Sequence, residues 1–258
     1  MMKEFGVECV FQGHEHMFYE GEEEGVKFFV TGGGGAGLDP QYPEESLSFH
    51  YILVRVAGED VEYYVRKPLV LEIKKPASDR VVTSDERLVI EGRVQPFSKL
   101  RVNGEEVDVS KTGYFSAVVH LLPGENKIRI VTEHGGESLS KEITAIYLPP
   151  LEAQLPSKLV SGREVEVLVS SRGSPVEGAV IEIKELGLRA VTDSGGRARI
   201  KLPEVKKETR GVLVVSKEGF MDFVVLVTVV PAGIPVILVA AVVAVVLLSL
   251  ILIIRRKG

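Results

Sequence analysis

The sequence predicts a mainly β protein ending in a single membrane helix, and three observations carry that expectation. Short runs rich in β-branched and aromatic residues recur along residues 7–230, glycine- and proline-containing turns separate them, and an uncharged apolar run follows near the C-terminus. The chain has 258 residues, 45% of them hydrophobic and 26% charged, enough for about two globular domains. Thirty-one Lys and Arg against 36 Asp and Glu leave a net charge of −5, which argues against a nucleic-acid binder with a basic face. One Cys permits neither an internal disulfide nor a thiolate metal cluster.

Residues 1–74 hold strand-like runs at Val7–Phe11, Val26–Thr31, Tyr51–Val56 and Val61–Val65, with a net charge of −8 that leaves +3 for the rest of the chain. Four strands and almost no helix make a thin domain, which reads as the end of something larger. From residue 75 to 148 the punctuation becomes regular. Runs at Leu88–Gly92, Leu100–Val102, Glu106–Val109, Tyr114–His120, Asn126–Val131 and Leu139–Ile146 are split by turns at Asn103-Gly104, Lys111-Thr112-Gly113 and Leu122-Pro123-Gly124. Six such runs predict a β-sandwich. Through Val89-Ile90-Glu91-Gly92, Val102-Asn103-Gly104, Gly113-Tyr114-Phe115 and Leu122-Pro123-Gly124-Glu125-Asn126, this segment resembles the immunoglobulin-like modules appended to bacterial and archaeal secreted enzymes.

Pro149-Pro150 breaks the pattern, since neither a strand nor a helix interior accepts the pair. Residues 151–230 then supply runs at Val165–Ser170, Ala179–Lys184, Leu188–Thr192, Ala198–Lys201, Val212–Ser216 and Phe223–Val230. Ser174-Pro175-Val176-Glu177-Gly178, Thr192-Asp193-Ser194-Gly195-Gly196 and Lys217-Glu218-Gly219-Phe220 make this stretch similar to the carboxypeptidase regulatory-like sandwich, which implies a spacer or binding role.

Ile234 to Ile254 contains no charged residue over 21 positions. At about 1.5 Å per residue a helix of that length spans roughly 30 Å, the thickness of a bilayer core. Arg255-Arg256-Lys257 follow at once, so residues 255–258 form a basic tail that the positive-inside rule places in the cytoplasm. The expected location is therefore the cell membrane, single-pass, with the bulk of the chain extracellular. The N-terminal residues nevertheless lack the apolar run of an export signal.

One motif carries chemistry. Gly13-His14-Glu15-His16 follows the apolar run Val7–Phe11, and two imidazoles two residues apart at a strand end can converge on one metal. By spacing alone, two surface histidines on a turn fit equally well. The order of pieces resembles the end of the calcineurin-like metallophosphoesterases, purple acid phosphatases included: Gly13-His14-Glu15-His16, the short stretch Met17–Glu20, the run Val26–Thr31 leading into Gly32-Gly33-Gly34-Gly35-Ala36, and Phe49–Val56. The resemblance covers residues 5–66. It implies His14 and His16 as ligands of a two-metal centre (Fe, Zn or Mn) that hydrolyses a phosphoester. It also implies Asp-x-His, Gly-Asp and Gly-Asn-His motifs ahead of Gly13, and none of these occurs in the twelve preceding residues or later.

Other candidates read more plainly. The Gly32–Gly37 run lacks the Gly-Lys-Ser/Thr of a phosphate cradle, and Glu22-Glu23-Glu24 reads as a solvated hairpin tip. His50 reads as a core or site-wall residue, Cys9 as a small packed hydrophobe, and His120 and His134 as non-catalytic. The sequence thus reads as the C-terminal portion of an externally facing, membrane-anchored metallophosphoesterase, inactive as given because most metal ligands are absent. The alternative is a non-catalytic surface protein whose sandwiches act as stalk or binding module. The expected partners are the lipid bilayer, a phosphoester in the complete enzyme, and a separately encoded N-terminal half or a surface partner, with no nucleic acid.

Overall fold

The computed structural model describes residues 2–156 and 158–232, and they are mainly β, with 56% strand and 3% helix. Segments 234–254 and 255–258, read above as membrane helix and basic tail, lie outside these residues. Among the described residues no helix is long and apolar enough to cross a membrane.

The N-terminal part begins with β1 (Cys9–Gln12), β2 (Phe18–Glu23) and β3 (Val26–Thr31) in the order β1-β3-β2. β1 runs parallel to β3, with Phe11 opposite Phe29, and β2 runs antiparallel to it, with Phe18 opposite Thr31. The β2–β3 connection turns through Glu24 (φ 52°) and Gly25 (φ 77°). Positive φ at both central residues matches the turn to the twist of the flanking strands. β4 (Tyr51–Ala57) and β5 (Asp60–Arg66) make a separate hairpin. Tyr63 of β5 lays its ring 5.5 Å from Phe29 and 6.1 Å from Phe11, attaching the hairpin to one face of the small sheet.

The first sandwich comprises β6 (Leu71–Lys75), β7 (Arg80–Thr83), β8 (Arg87–Val94), β9 (Lys99–Val102), β10 (Glu105–Glu106), β11 (Tyr114–His120), β12 (Gly124–His134) and β13 (Glu137–Tyr147). One sheet has the order β11-β8-β6 and the other β10-β9-β12-β13-β7. β8 alternates strictly, burying Leu88, Ile90, Gly92 and Val94 and showing Arg87 and Val89 to solvent. Ile90, Val94, Leu100, Ile128, Ile130, Ile143 and Ala145 are fully buried where the sheets face each other. Each large aliphatic side chain so buried contributes about 1.5–3 kcal/mol. Gly92 is required by the packing, because a Cβ there would strike the Glu72 carbonyl and come within 2.8 Å of the Phe115 ring. The strand expected at Glu106–Val109 shortens to Glu105–Glu106.

The second sandwich comprises β14 (Glu152–Gln154), β15 (Leu159–Val160), β16 (Glu164–Ser171), β17 (Ser174–Pro175), β18 (Val180–Ile183), β19 (Leu188–Val191), β20 (Arg197–Lys201), β21 (Thr209–Ser216) and β22 (Phe223–Val230). β16 pairs with β14, β17 and β20, while the opposing sheet has the order β15-β22-β21-β18-β19. Val167, Val169, Ala179, Ile181, Ile183, Leu213, Val215 and Val229 fill the space between. The buried Thr192 hydroxyl donates to the Val176 carbonyl at 2.6 Å and accepts from the Ala179 amide at 2.8 Å, fixing the chain as it leaves β19.

Among the described residues, 2–82 and 87–146 form one compact unit, while Thr83–Glu86 joins 147–232 in a second. The division expected at residue 74 falls inside the first unit, and polar contacts explain why. Gln95, 2% exposed, accepts from the Phe49 amide and donates to the Phe49 carbonyl, both at 3.2 Å. Arg93 donates to the Gly35 carbonyl at 3.1 Å and to Glu72 at 2.7 Å, with its guanidinium 5.4 Å from the Phe49 ring and 5.9 Å from that of Tyr114. Leu38, Leu47 and Phe49 make a small buried cluster of their own beside Val70.

Candidate metal-ligand loop

β1 ends at Gln12, and the chain crosses to β2 through Gly13-His14-Glu15-His16-Met17. His14 has φ 76°, a left-handed conformation that few side chains other than Asn, Asp and His adopt. Both His14 and His16 are exposed. His16 Nδ1 lies 2.8 Å from the Gly37 carbonyl, and a carbonyl only accepts, so Nδ1 carries the proton. Nε2 is left as the free acceptor nitrogen, which is how a backbone carbonyl orients a metal-binding imidazole.

The glycine run holds this loop from below. Gly32 donates to the Met17 carbonyl at 3.1 Å, and a Cβ on Gly32 would collide with the Glu15 carbonyl. A Cβ on Gly33 would collide with the Ser48 carbonyl and the His50 ring. Asp39 donates its amide to the His16 carbonyl at 3.2 Å. Gly32 and Gly33 are therefore a close-packed floor, whereas Gly34 and Gly35 have open space around them, and no helix opens behind the run to bind phosphate.

His50 is the wall behind that floor. It is 3% exposed; its Nδ1 donates to the Ser48 carbonyl at 2.9 Å and its Nε2 accepts from the Thr31 hydroxyl at 3.0 Å. Phe18 meets its ring edge-on at 4.9 Å. Burial pushes its pKa below the ordinary histidine value, opposed by the Ser48 hydrogen bond and assisted by the Lys67 charge. Both nitrogens are engaged, so His50 is positioned as a packed neutral imidazole rather than a ligand.

The resemblance to the metallophosphoesterases implies a pair of hard divalent or trivalent cations, which need carboxylates as well as imidazoles. Among the described residues no group of three or more His, Cys, Asp or Glu is placed to hold a metal ion. Asp39, the carboxylate nearest in the chain to the glycine run, gives Oδ1 to the Gln41 amide (3.0 Å) and Oδ2 to the Gln41 side chain (2.7 Å). The donor set here, two exposed imidazoles, does not fit a two-cation centre. An open cleft of about 620 Å³ does lie in this part of the molecule, but Glu8, Glu20, Glu22, Lys27, Phe29 and Tyr63 are among its walls, and neither His14 nor His16 is.

The remaining sequence candidates resolve simply. Glu22 and Glu23 lie on β2 and Glu24 in the turn, all exposed at the hairpin tip. Cys9 is half-buried on β1, and His120 and His134 end strands of the first sandwich. Thr31, Ser48 and Gln41 were not singled out by sequence. Their contributions are one hydrogen bond each from Thr31 and Ser48 and two from Gln41, which leave no periodic or motif signature.

No protein-family model matches the chain, and no curated protein matches it. Among solved structures, domains A168–A170 of titin align at 12% identity over 65% of this chain and 66% of theirs, with a TM-score of 0.37. Extracellular domains 3–5 of Drosophila OTK align at 10% identity over 58% and 57%, with a TM-score of 0.35. Sidekick-1 immunoglobulin domains 1–5 align at 11% identity over 86% of this chain and 58% of theirs, with a TM-score of 0.33. The chain thus spans less than two thirds of the length of each of these. Its sandwich architecture stands on its own strand pairing and buried faces.

Proposed function

We propose that this chain is a membrane-anchored β-sandwich stalk that carries a histidine-bearing sheet at its N-terminal end and does not hydrolyse phosphoesters by itself. The observation that carries this reading is the clamp between the N-terminal segment and the first sandwich. Gln95 binds both backbone groups of Phe49, and Arg93 binds the carbonyl of Gly35, in the glycine run that follows the floor residues Gly32 and Gly33. A sandwich that grips Phe49 through two buried hydrogen bonds and Gly35 through an exposed one acts as a rigid mount. The uncharged segment 234–254 supports an anchored location, with residues 1–230 outside and the basic tail inside.

A second reading, a metallophosphoesterase whose other ligands come from further protein, is favoured by one observation. His16 Nδ1 is already held by the Gly37 carbonyl, leaving Nε2 available for coordination. One experiment separates the two. The detergent-solubilised full chain is assayed with p-nitrophenyl phosphate and bis(p-nitrophenyl) phosphate in added Mn²⁺, Zn²⁺ or Fe²⁺. The stalk reading expects no turnover above that of the His14→Ala/His16→Ala variant. Metal-dependent turnover that disappears in that variant overturns it.

A further inference from the structure

The second sandwich is electrically polar along its strands, and its positive end is where the chain leaves for the apolar segment. β22 ends at Val230, and residues 231–233 lead to Ile234. Strand register collects other segments at this end. Val160 lies opposite Val230, the Ser161 amide donates to the Val230 carbonyl at 2.9 Å, and Thr209 lies opposite Val229. The β20–β21 loop is tied to the same corner, with the Val205 amide on Ser161 Oγ and the Leu202 amide on the Arg163 carbonyl, both 2.9 Å.

Exposed Lys158, Arg163, Lys206, Lys207 and Arg210 therefore surround the exit. The carboxylates among them are engaged: Glu204 accepts from Ser161 Oγ at 3.0 Å, Glu185 accepts from the Val212 amide at 3.1 Å beside Lys184, and Glu208 faces Arg210 at 3.3 Å. Glu164 lies opposite Lys201 in the β16–β20 pairing. Lys206 and Lys207 have no ion pair among the described residues. At the opposite end of the same strands, Glu177, Glu218 and Asp222 gather around Lys217, which donates to the Glu177 carbonyl, and near the end of β21.

We propose that this basic rim seats the second sandwich on the anionic phosphate headgroups of the bilayer that receives residues 234–254. The proposal rests on the membrane-anchor reading and goes beyond it by naming the surface and its partner. Three linking residues reach at most about 10 Å when extended, comparable to the Debye length at physiological salt, so the rim is held where a charged leaflet acts on it. The acidic end faces away, and the module's own charge distribution sets which end meets the membrane.

The test uses the full chain in nanodiscs of phosphatidylcholine alone and of phosphatidylcholine mixed with phosphatidylglycerol, with acylation rates of individual lysines read by mass spectrometry. Lys206 and Lys207 are expected to react about fivefold more slowly in the acidic discs, the effect of one charge held near an anionic surface. Molar salt should abolish the difference, and Lys217 should show none. Equal rates in the two lipids, or equal slowing of Lys217, overturn the seat. Slowing in neutral discs on adding inorganic phosphate overturns the headgroup as its partner. Carbonate extraction of the chain from native membranes would overturn the anchor reading, and the seat with it; retention of the chain with unchanged lysine rates overturns the seat alone.

Discussion

Replacing Gln95 by Met tests whether the clamp on Phe49 unites the N-terminal segment with the first sandwich. Met preserves length and apolar bulk but can neither accept from the Phe49 amide nor donate to its carbonyl, contacts that Gln95 makes at 3.2 Å each. Gln95 and Phe49 are 2% and 5% exposed, so water does not readily replace the lost partner. An unpaired buried backbone group costs about 1–3 kcal/mol, so two should cost about 3 kcal/mol together after local relaxation. For a unit of this size that corresponds to a fall in Tm of roughly 10 °C, read by calorimetry. Amide exchange at Phe49 should accelerate along with it. Gln95→Glu adds a signature that packing alone would not give. Its carboxylate still accepts from the Phe49 amide but opposes the Phe49 carbonyl, so the variant should recover stability as pH falls and the carboxyl becomes a donor. A Gln95→Met protein within about 0.5 kcal/mol of the parent, with Phe49 exchange unchanged, would refute the reasoning.

Four further outcomes are expected. Because burial lowers the pKa of His50, the unfolded chain binds a proton before the folded one does; stability should decline as pH falls below about 6.5, and the decline should vanish in His50→Gln, as measured by urea unfolding at stepped pH. Gly33→Ala should destabilise the first unit by at least about 2 kcal/mol, since its Cβ meets the Ser48 carbonyl; an unshifted denaturation midpoint would contradict that contact. Residues 147–232 expressed alone should melt cooperatively with a β-type circular dichroism spectrum, whereas residues 75–147 alone should melt below residues 1–146, having lost Phe49 and Gly35 as partners. Protease added outside intact cells should remove the sandwiches and leave a small membrane-bound fragment; complete protection would reverse the orientation.

Alternation and turn chemistry were the legible parts of the fold. β8 buries every second residue, as Leu88, Ile90 and Val94 suggest, and Asn103-Gly104 adopts the paired positive φ angles (52° and 88°) that its hairpin signal implies. β2 was hidden because Phe18-Tyr19-Glu20-Gly21-Glu22-Glu23 has a loop-like composition; six paired positions on β3 hold it as a strand. β14, β15 and β17 span two or three residues, too few to show any period. At the histidine loop, spacing gave the two imidazoles and composition gave the tight glycine floor. The orientation of His16 by Gly37, 21 positions away, and the capping of Asp39 by Gln41 are tertiary facts with no local trace. The same holds for Gln95 and Arg93, whose polar side chains join parts of the chain 46 and 58 positions apart.

The parallel pairing of β15 with β22 has a mechanical consequence. Leu159–Val160, near the start of the second sandwich, lies alongside Val229–Val230, at the end of its last strand. A pull between the two ends of the second sandwich draws these two strands lengthwise past each other in opposite directions. Their hydrogen bonds, including that from Ser161 to Val230, then share the load at once instead of parting one after another. Ser161 is braced from the side by Glu204 and by the Val205 amide, so sliding must also break the β20–β21 loop from its corner. A short parallel contact that adds little to equilibrium stability is thereby placed where it resists extension of the module most.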